Sequence, residues 1–181
     1  MLKYINMNPH TNQPSAQKPM VNFNVEVSGS GQTKKTAEKF ARKILREKPK
    51  KSALVIGLIG ELGSGKTTFL QGFAKGLAIR EKVLSPTFII YRKIQIPKSK
   101  CQIKSKTQNQ NFYFFYHFDC YRIENPKELL SLGFAEIISN PKNIVAIEWA
   151  DKIKKILPTN TIWIKFEFID EKTRKIHRVY K

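Results

Sequence analysis

One short stretch, Gly60 to Thr67, restricts what this chain can fold into more than any other feature. It reads GELGSGKT and matches the pattern G-x-x-x-x-G-K-[ST] of a phosphate-binding P-loop. The apolar run from Ala53 to Ile59 precedes it and predicts a strand that is buried on both faces. Apolar residues at helical spacing from Phe69 to Leu77 follow and predict a helix. A strand, a glycine-rich loop and a helix, in this order, are the setting that the pattern requires.

The residue types in this loop explain its chemistry. Phosphate oxygens must approach the backbone closely, and Gly60, Gly63 and Gly65 leave room for them. The N–H groups of the loop and of the helix start then face the anion. Lys66 is expected to reach the β- and γ-phosphates, and the hydroxyl of Thr67 to bind Mg²⁺. The alternative is a glycine-rich turn without a ligand, but the full match in this setting favours nucleotide binding.

Length and composition indicate one globular domain. The chain has 181 residues, of which 41% are hydrophobic, enough for a sizeable core. We interpret residues 1–20 as a polar N-terminal tail without a signal-peptide core and residues 21–181 as a single P-loop ATPase domain. No apolar run approaches the roughly 20 residues of a membrane span. Cys101 and Cys120 match no metal pattern and are expected to be free thiols in a reducing cytoplasm.

The charge points to a polyanionic partner. Lys and Arg number 33 against 14 Asp and Glu, which gives a net charge of +19. No acid lies between Glu81 and Asp119, whereas lysines accumulate there, and we interpret residues 97–111 as an exposed basic loop. Two interpretations of these charges stay open, namely contact with nucleic acid and a lysine-biased surface that only faces solvent.

The other segments predict an α/β fold of the P-loop NTPase type, with three layers, a mostly parallel central sheet and an antiparallel edge hairpin. The strands that we expect are Val21–Val27, Phe88–Ile96, Phe112–Asp119 and Asn143–Ile147, with the hairpin formed by two alternating segments after Ile162. The helices that we expect are an amphipathic one over Ala37–Leu45 and short ones over Pro126–Ser131, Phe134–Ser139 and Asp151–Leu157.

Two carboxylates qualify for chemistry on a bound phosphate. Asp119 and Glu148 both end apolar strands, where open α/β sheets bind ligands. Phosphoryl transfer needs one carboxylate for Mg²⁺ and a group that positions the attacking water. The residues alone do not say which acid has which role, and either could simply cap a turn. His117, within an aromatic strand, is expected to be packed and hydrogen-bonded, and Thr87 lies in a loop that could sense the γ-phosphate.

Taken together, these motifs resemble the TsaE (YjeE) family, the small ATPases of bacterial tRNA threonylcarbamoyladenosine synthesis. The resemblance covers roughly residues 21–168. The motifs that carry it are GELGSGKTT from Gly60, SPTF from Ser85, HFDCYR from His117, ELL with Gly133, and the pair Glu148-Trp149.

The resemblance implies a set of roles. Asp119 helps to bind Mg²⁺ with Thr67, Glu148 supports hydrolysis, Thr87 belongs to a switch-like loop, and Trp149 lies near the nucleotide. We thus expect Lys66 and Glu148 to be catalytic and Thr67, Asp119 and Glu148 to bind the metal. The residues that we expect to contact ATP are Gly60, Glu61, Leu62, Gly63, Ser64, Gly65, Lys66, Thr67, Thr68, Thr87 and Trp149.

The resemblance also implies partners. Family members act with TsaD and TsaB on adenosine 37 of tRNAs that read ANN codons, and TsaD transfers the threonylcarbamoyl group. The basic segment 97–111 and the tail 1–20 look like additions to the family pattern. Two other functions remain open: a P-loop kinase for a small molecule or nucleoside, and a non-catalytic adaptor that binds tRNA in a nucleotide-dependent way.

Overall fold

A computed structural model describes residues 23–46, 51–83, 90–97 and 112–180 of the chain. Strands and helices alternate along most of this length. In chain order they are β1 (Asn24–Ser28), α1 (Gly29–Ile44), β2 (Leu54–Ile59), α2 (Lys66–Gly76), β3 (Tyr91–Gln95), β4 (Phe114–Asp119), α3 (Lys127–Ser131), α4 (Phe134–Ser139), β5 (Asn143–Glu148), a 3₁₀ helix (Ala150–Ile156), β6 (Ile162–Phe168) and β7 (Thr173–Val179).

The seven strands form one mixed sheet in the order β1-β7-β6-β2-β5-β4-β3. Its centre is parallel, because β6, β2, β5 and β4 run in the same direction. Antiparallel pairs flank this centre on both sides, β3 next to β4 on one edge and β7 with β1 on the other. The predicted α/β class is therefore confirmed, but the sheet is mixed instead of mostly parallel, with three parallel and three antiparallel strand pairings among the described residues.

The predicted edge hairpin needs correction. Strands β6 and β7 do form an antiparallel pair, but β6 belongs to the parallel centre and β1 covers the outer side of β7. The physical reason is that Trp163 is buried as well as Ile162 and Ile164, so β6 buries both faces and suits a central position. Phe168, the last residue of β6, is 44% exposed.

Apolar runs explain the two central strands. All six residues of β5 are buried, and five of the six in β2 are. Strands buried on both faces need helices on each side of the sheet. Helices α1 and α2 cover one face through a core that includes Phe40, Phe69 and Phe73. Helices α3 and α4 and the 3₁₀ helix cover the other face, so the molecule has three layers.

Helices α1 and α2 pack closely because glycine lies at their contact. A Cβ atom placed on Gly72 would lie 2.3 Å from the carbonyl oxygen of Lys34, and one on Gly76 would lie 2.6 Å from the Cβ of Ala41. This contact fixes α2, which carries Lys66 and Thr67 in its first turn, against the rest of the domain.

Local signals set the start of α3 as predicted. The backbone N–H of Asn125 donates to the Glu128 carboxylate at 2.9 Å, while the Asn125 side-chain oxygen accepts from the N–H of Lys127 at 3.0 Å. Gly133, with φ of 77°, then separates α3 from α4.

Strand β3 runs back along β4, so that Tyr91 pairs with Phe118 and Gln95 with Phe114. The chain leaves β3 and enters β4 at the end of these strands that is far from Asp119. There the N–H of Ile96 donates to the Tyr113 carbonyl at 2.8 Å. Thr87, Cys101, the tail 1–20 and residues 98–111 lie outside the described residues. Within the described ranges, none of the helices combines the length and apolarity needed to cross a bilayer.

Candidate active site

The P-loop connects the end of β2 to the start of α2, as the sequence predicts. Gly60, Gly63 and Gly65 adopt φ values of 148°, 75° and 100°, in the region that glycine tolerates best. At Gly60 the approach is also close, because a Cβ atom there would lie 2.6 Å from the Phe166 carbonyl oxygen. The loop thus presents its backbone, followed by the N-terminus of α2, to a common centre. This is an arrangement suited to phosphate.

Lys66 is buried within the loop that precedes it. Its ammonium group donates to the carbonyl oxygens of Gly60 at 2.8 Å and Glu61 at 2.7 Å. It also lies 3.9 Å from the ring centroid of Trp149. Burial lowers the pKa of Lys66, and the nearby carboxylates, led by Glu148, oppose that shift. A cation held at the centre of the loop is placed to meet an anionic ligand.

Glu148 is a buried carboxylate with hydrogen-bond partners on two other elements. It is 3% exposed, at the carboxyl end of central strand β5. The Thr67 hydroxyl lies 2.8 Å from Oε2 and 3.0 Å from Oε1, and Nε2 of His117 lies 2.9 Å from Oε1. The strand end therefore brings a buried acid directly against the first turn of the P-loop helix.

Asp119 lies beside Glu148 at the same end of the sheet. The two are direct partners in the parallel register of β4 and β5. One oxygen of Asp119 accepts a hydrogen bond from the N–H of Tyr121 at 3.0 Å, which shapes the turn after β4. Both acids that the sequence singled out therefore converge on the P-loop, as parallel strand ends at a sheet's carboxyl edge must.

These groups surround a pocket with a volume of about 310 Å³. The residues that line it are Leu62, Gly63, Gly65, Lys66, Thr67, Thr68, Asp119, Tyr121, Arg122, Glu148 and Trp149. A second pocket of similar volume shares Gly63, Gly65 and Thr68 with the first. It is formed by the start of α1 and the turn between β6 and β7, with Thr33, Lys172 and Arg174 among its lining. The P-loop thus lies between two cavities: the first, called the acid-rich pocket, is lined by both Asp119 and Glu148, and the second by Glu171 as its one acid among the described residues.

Trp149 closes one wall of the first pocket in a strained conformation. Its φ of 57° is rare for a bulky residue, and such strain persists where the surroundings hold it. Its ring contacts that of Tyr121, with centroids 5.0 Å apart, and also contacts the Lys66 ammonium group. Backbone strain next to a buried lysine is typical of a functional position.

The oxygen atoms gathered here fit Mg²⁺. Mg²⁺ favours one hydroxyl or one or two carboxylates from the protein, completed by water and substrate phosphates. Thr67, Asp119 and Glu148 supply such a set at the pocket. Among the residues that the structure describes, no group of three or more His, Cys, Asp or Glu side chains forms a metal cluster.

The structure brings together every predicted site residue that it describes, and Thr87 falls outside the described ranges. His117 is packed and hydrogen-bonded, as expected from the sequence, because it is fully buried and contacts Glu148. The sequence reasoning did not identify Glu148 as its partner. A signal was available: His117 and Asp119 are two residues apart in one strand, so their side chains share a face of the sheet.

Known proteins share these features. The family model described as Threonylcarbamoyl adenosine biosynthesis protein TsaE matches residues 29–176. The chain belongs to the TsaE family. A relative from Haemophilus influenzae, named tRNA threonylcarbamoyladenosine biosynthesis protein TsaE, is 31% identical over 134 residues, 74% of this chain and 75% of the relative. The TsaE of Rickettsia prowazekii is also 31% identical, over 81% of this chain and 91% of its own.

A solved structure agrees with the fold. The crystal structure of Bacillus subtilis YdiB superposes with a TM-score of 0.62 and 26% identity, over 87% of this chain and 84% of that one. Membership of the TsaE family confirms the prediction from the sequence motifs: this is a protein of tRNA threonylcarbamoyladenosine biosynthesis.

Proposed function

We propose that this TsaE-family chain is a Mg²⁺-dependent ATPase that acts with TsaD and TsaB in the cytoplasm, on tRNAs that read ANN codons. The observation that carries the proposal is the direct contact between Thr67, at the start of the P-loop helix, and the buried carboxylate of Glu148. A hydroxyl and a carboxylate held together at a phosphate loop are what phosphoryl transfer to water requires.

The two pockets suggest how ATP is oriented. The β- and γ-phosphates extend from the P-loop toward Lys66 and the acid-rich pocket, where positive charge is already held. The nucleoside end extends toward the second pocket, past Thr68 and the start of α1, which offers a cavity of similar size next to the P-loop. Gly60 to Thr68, with Trp149 and Thr87, form the contacts to ATP in this proposal.

Lys66 and Glu148 then have separate roles. Lys66 exchanges its bonds to the Gly60 and Glu61 carbonyls for phosphate oxygens, and its charge stabilises the transition state. Thr67, Asp119 and Glu148 would hold Mg²⁺, which supplies charge neutralisation to the phosphates. Glu148 also orients the attacking water, because its buried position leaves it little freedom to rotate.

Hydrolysis assays test this proposal. We expect slow release of inorganic phosphate by the chain alone and faster release when TsaD and TsaB are added. Glu148→Ala should retain nucleotide binding and reduce hydrolysis to a residual rate, whereas Lys66→Ala should lose binding. Glu167→Ala and Lys75→Ala are matched controls, because Glu167 and Lys75 form ion pairs outside the acid-rich pocket. Full turnover by Glu148→Ala in the presence of both partners would refute the assigned role.

The same assays separate the competing functions. Transfer of the γ-phosphate to an organic acceptor instead of water would indicate a kinase. Binding of tRNA that is equal with ATP, ADP and no nucleotide would indicate an adaptor whose nucleotide is only structural. A pull-down in ATP and in ADP, with recovery of TsaD and TsaB as the readout, tests the partners directly. The single domain over residues 21–181 stays a prediction, and the two interpretations of the basic residues 97–111, contact with nucleic acid and a surface that only faces solvent, stay open.

A further inference from the structure

His117 is the one histidine of the described site, and its surroundings are unusual for a packed core residue. It lies in β4, between the buried aromatic residues Tyr116 and Phe118, and is 0% exposed. Its register partner in β5 is Ala146, whose small side chain leaves room for the imidazole ring next to Glu148. A phenylalanine would fill this position with apolar surface, yet the chain places a polar ring there.

The contact between the His117 ring and Glu148 defines which ring nitrogen carries the proton. Nε2 of His117 lies 2.9 Å from Oε1 of Glu148, and a carboxylate can only accept a hydrogen bond. The proton must therefore be on Nε2. Nδ1 is buried and has no hydrogen-bond partner within the described residues. A bare lone pair is tolerated there more readily than an N–H group without an acceptor, so the neutral ring with its proton on Nε2 fits the site.

The two oxygens of Glu148 are thereby distinguished. Oε1 receives the imidazole N–H, while Oε2 is the closer of the two to the Thr67 hydroxyl, at 2.8 Å against 3.0 Å. A carboxylate with one donor would still rotate about its last bond. With donors on β4 and on α2, its plane is fixed relative to the pocket.

We propose that His117 is a positioning residue: its Nε2–H holds Oε1 of Glu148, so that Oε2 faces Thr67 and the acid-rich pocket. The inference rests on the proposed ATPase role of Glu148. His117 itself does not line that pocket, so it acts on substrate only through the carboxylate. Partners of this kind, which orient a metal- or substrate-facing group, change activity or metal affinity by roughly 10–100-fold when removed.

A set of substitutions tests the geometry. In His117→Gln the amide nitrogen lies near the former position of Nε2, whereas in His117→Asn the side chain is too short to reach Oε1. His117→Phe keeps the volume and removes the donor. We expect kcat to fall about 10–100-fold in the Phe and Asn variants, with nucleotide affinity in the absence of Mg²⁺ unchanged, and to recover substantially in the Gln variant. Equal losses in Gln, Asn and Phe would overturn the proposal, as would a wild-type kcat in the Phe variant.

A double-mutant cycle separates positioning from stability. In the Glu148→Ala background, His117→Phe should cause no further loss of turnover, because the carboxylate that it positions is gone. A further loss of the same size as in the wild-type background would show that His117 acts only through packing. Thermal unfolding of each variant identifies any that lose activity because they do not fold, and the Gln variant then remains as the informative one.

A readout without turnover comes from ¹⁵N NMR of the histidine rings. The chain has three histidines, and the signals that vanish in His117→Gln belong to His117. We expect Nε2 of His117 to carry the proton, and we expect its ¹⁵N chemical shift to change when Glu148 is replaced by alanine. A bare Nε2, or a shift that ignores that replacement, would refute the contact. If NMR shows the contact between His117 and Glu148 but Glu148→Ala retains turnover, the proposed function is refuted and the contact stands. If Glu148→Ala lowers turnover but His117→Phe does not, only the positioning role of His117 is refuted.

Discussion

The hydroxyl of Thr67 allows a quantitative test of how the site is held before any ligand binds. Thr67→Val keeps the shape and β-branching of the side chain and removes only the group that donates to Glu148. Because Glu148 is 3% exposed, its carboxylate then has one donor fewer in a nearly dry environment. A hydrogen bond to a charged group contributes about 1.5–3 kcal/mol to stability.

Two features of the structure refine this magnitude. Valine creates no cavity, and helix propensity changes little between the two residues. Thr67 itself is only half-buried, so water can reach the vacated side of the carboxylate. We therefore expect the lower part of the range, about 1.5–2 kcal/mol, which lowers the melting temperature of a domain of this size by roughly 3–8 °C.

The assay is thermal unfolding without nucleotide or Mg²⁺, and Thr68→Val is the matched control. Thr68 is the neighbouring residue in the same turn, and among the described residues its hydroxyl makes no hydrogen bond. We expect the free energy of unfolding of Thr68→Val to lie within about 0.5 kcal/mol of that of the parent, as is typical of surface substitutions. If Thr67→Val melts at the same temperature as Thr68→Val, the contact with Glu148 does not stabilise the site as described.

Three other predictions follow from single contacts. Gly72→Ala should destabilise the protein by about 2–3 kcal/mol in chemical unfolding, because the added Cβ would lie 2.3 Å from the backbone of Lys34. Gly31→Ala, whose Cβ would have no atom within 4 Å, should not destabilise it. Equal stability of the two variants would contradict the close packing of α1 and α2. Cys120 is buried, which raises its pKa to about 12, so peptide mass spectrometry should find it alkylated by iodoacetamide at pH 8 only after unfolding. ADP should change the intrinsic fluorescence of the protein through Trp149, which contacts Lys66; the change should vanish in Trp149→Phe and persist in Trp163→Phe, and the reverse would contradict it.

Much of the site could be predicted because its determinants are local. The positions of the P-loop glycines are set by backbone conformation alone, since each has a positive φ that glycine adopts readily. The apolar runs before Gly60 and before Glu148 indicate strands buried on both faces, and the carboxyl ends of such parallel strands meet at one edge of a sheet. The convergence of Asp119 and Glu148 follows from that rule.

What was missed depends on contacts between distant segments. The position of β6 inside the sheet depends on Trp163, which packs where Gly57 leaves space: a Cβ there would lie 3.0 Å from the indole. No pattern within β6 reveals that fit. The contact between His117 and Glu148 joins residues 31 positions apart and depends on the register of β4 with β5. Periodicity indicates which face a side chain takes, but not which partner lies across from it.

The end of β3 and the start of β4 lie far from Asp119, and this has a consequence for how the length of the chain can vary. Ile96 and Tyr113 are hydrogen-bonded to each other there. Strand β4 has six residues, with Asp119 as the last, so Asp119 lies about 20 Å from Tyr113. Length can therefore be gained or lost between Ile96 and Tyr113 while the phosphate cradle keeps its dimensions. Evolution can remodel this end of the molecule independently of the P-loop site, and an engineer could insert an affinity tag or a fluorophore there and still expect that site to be intact.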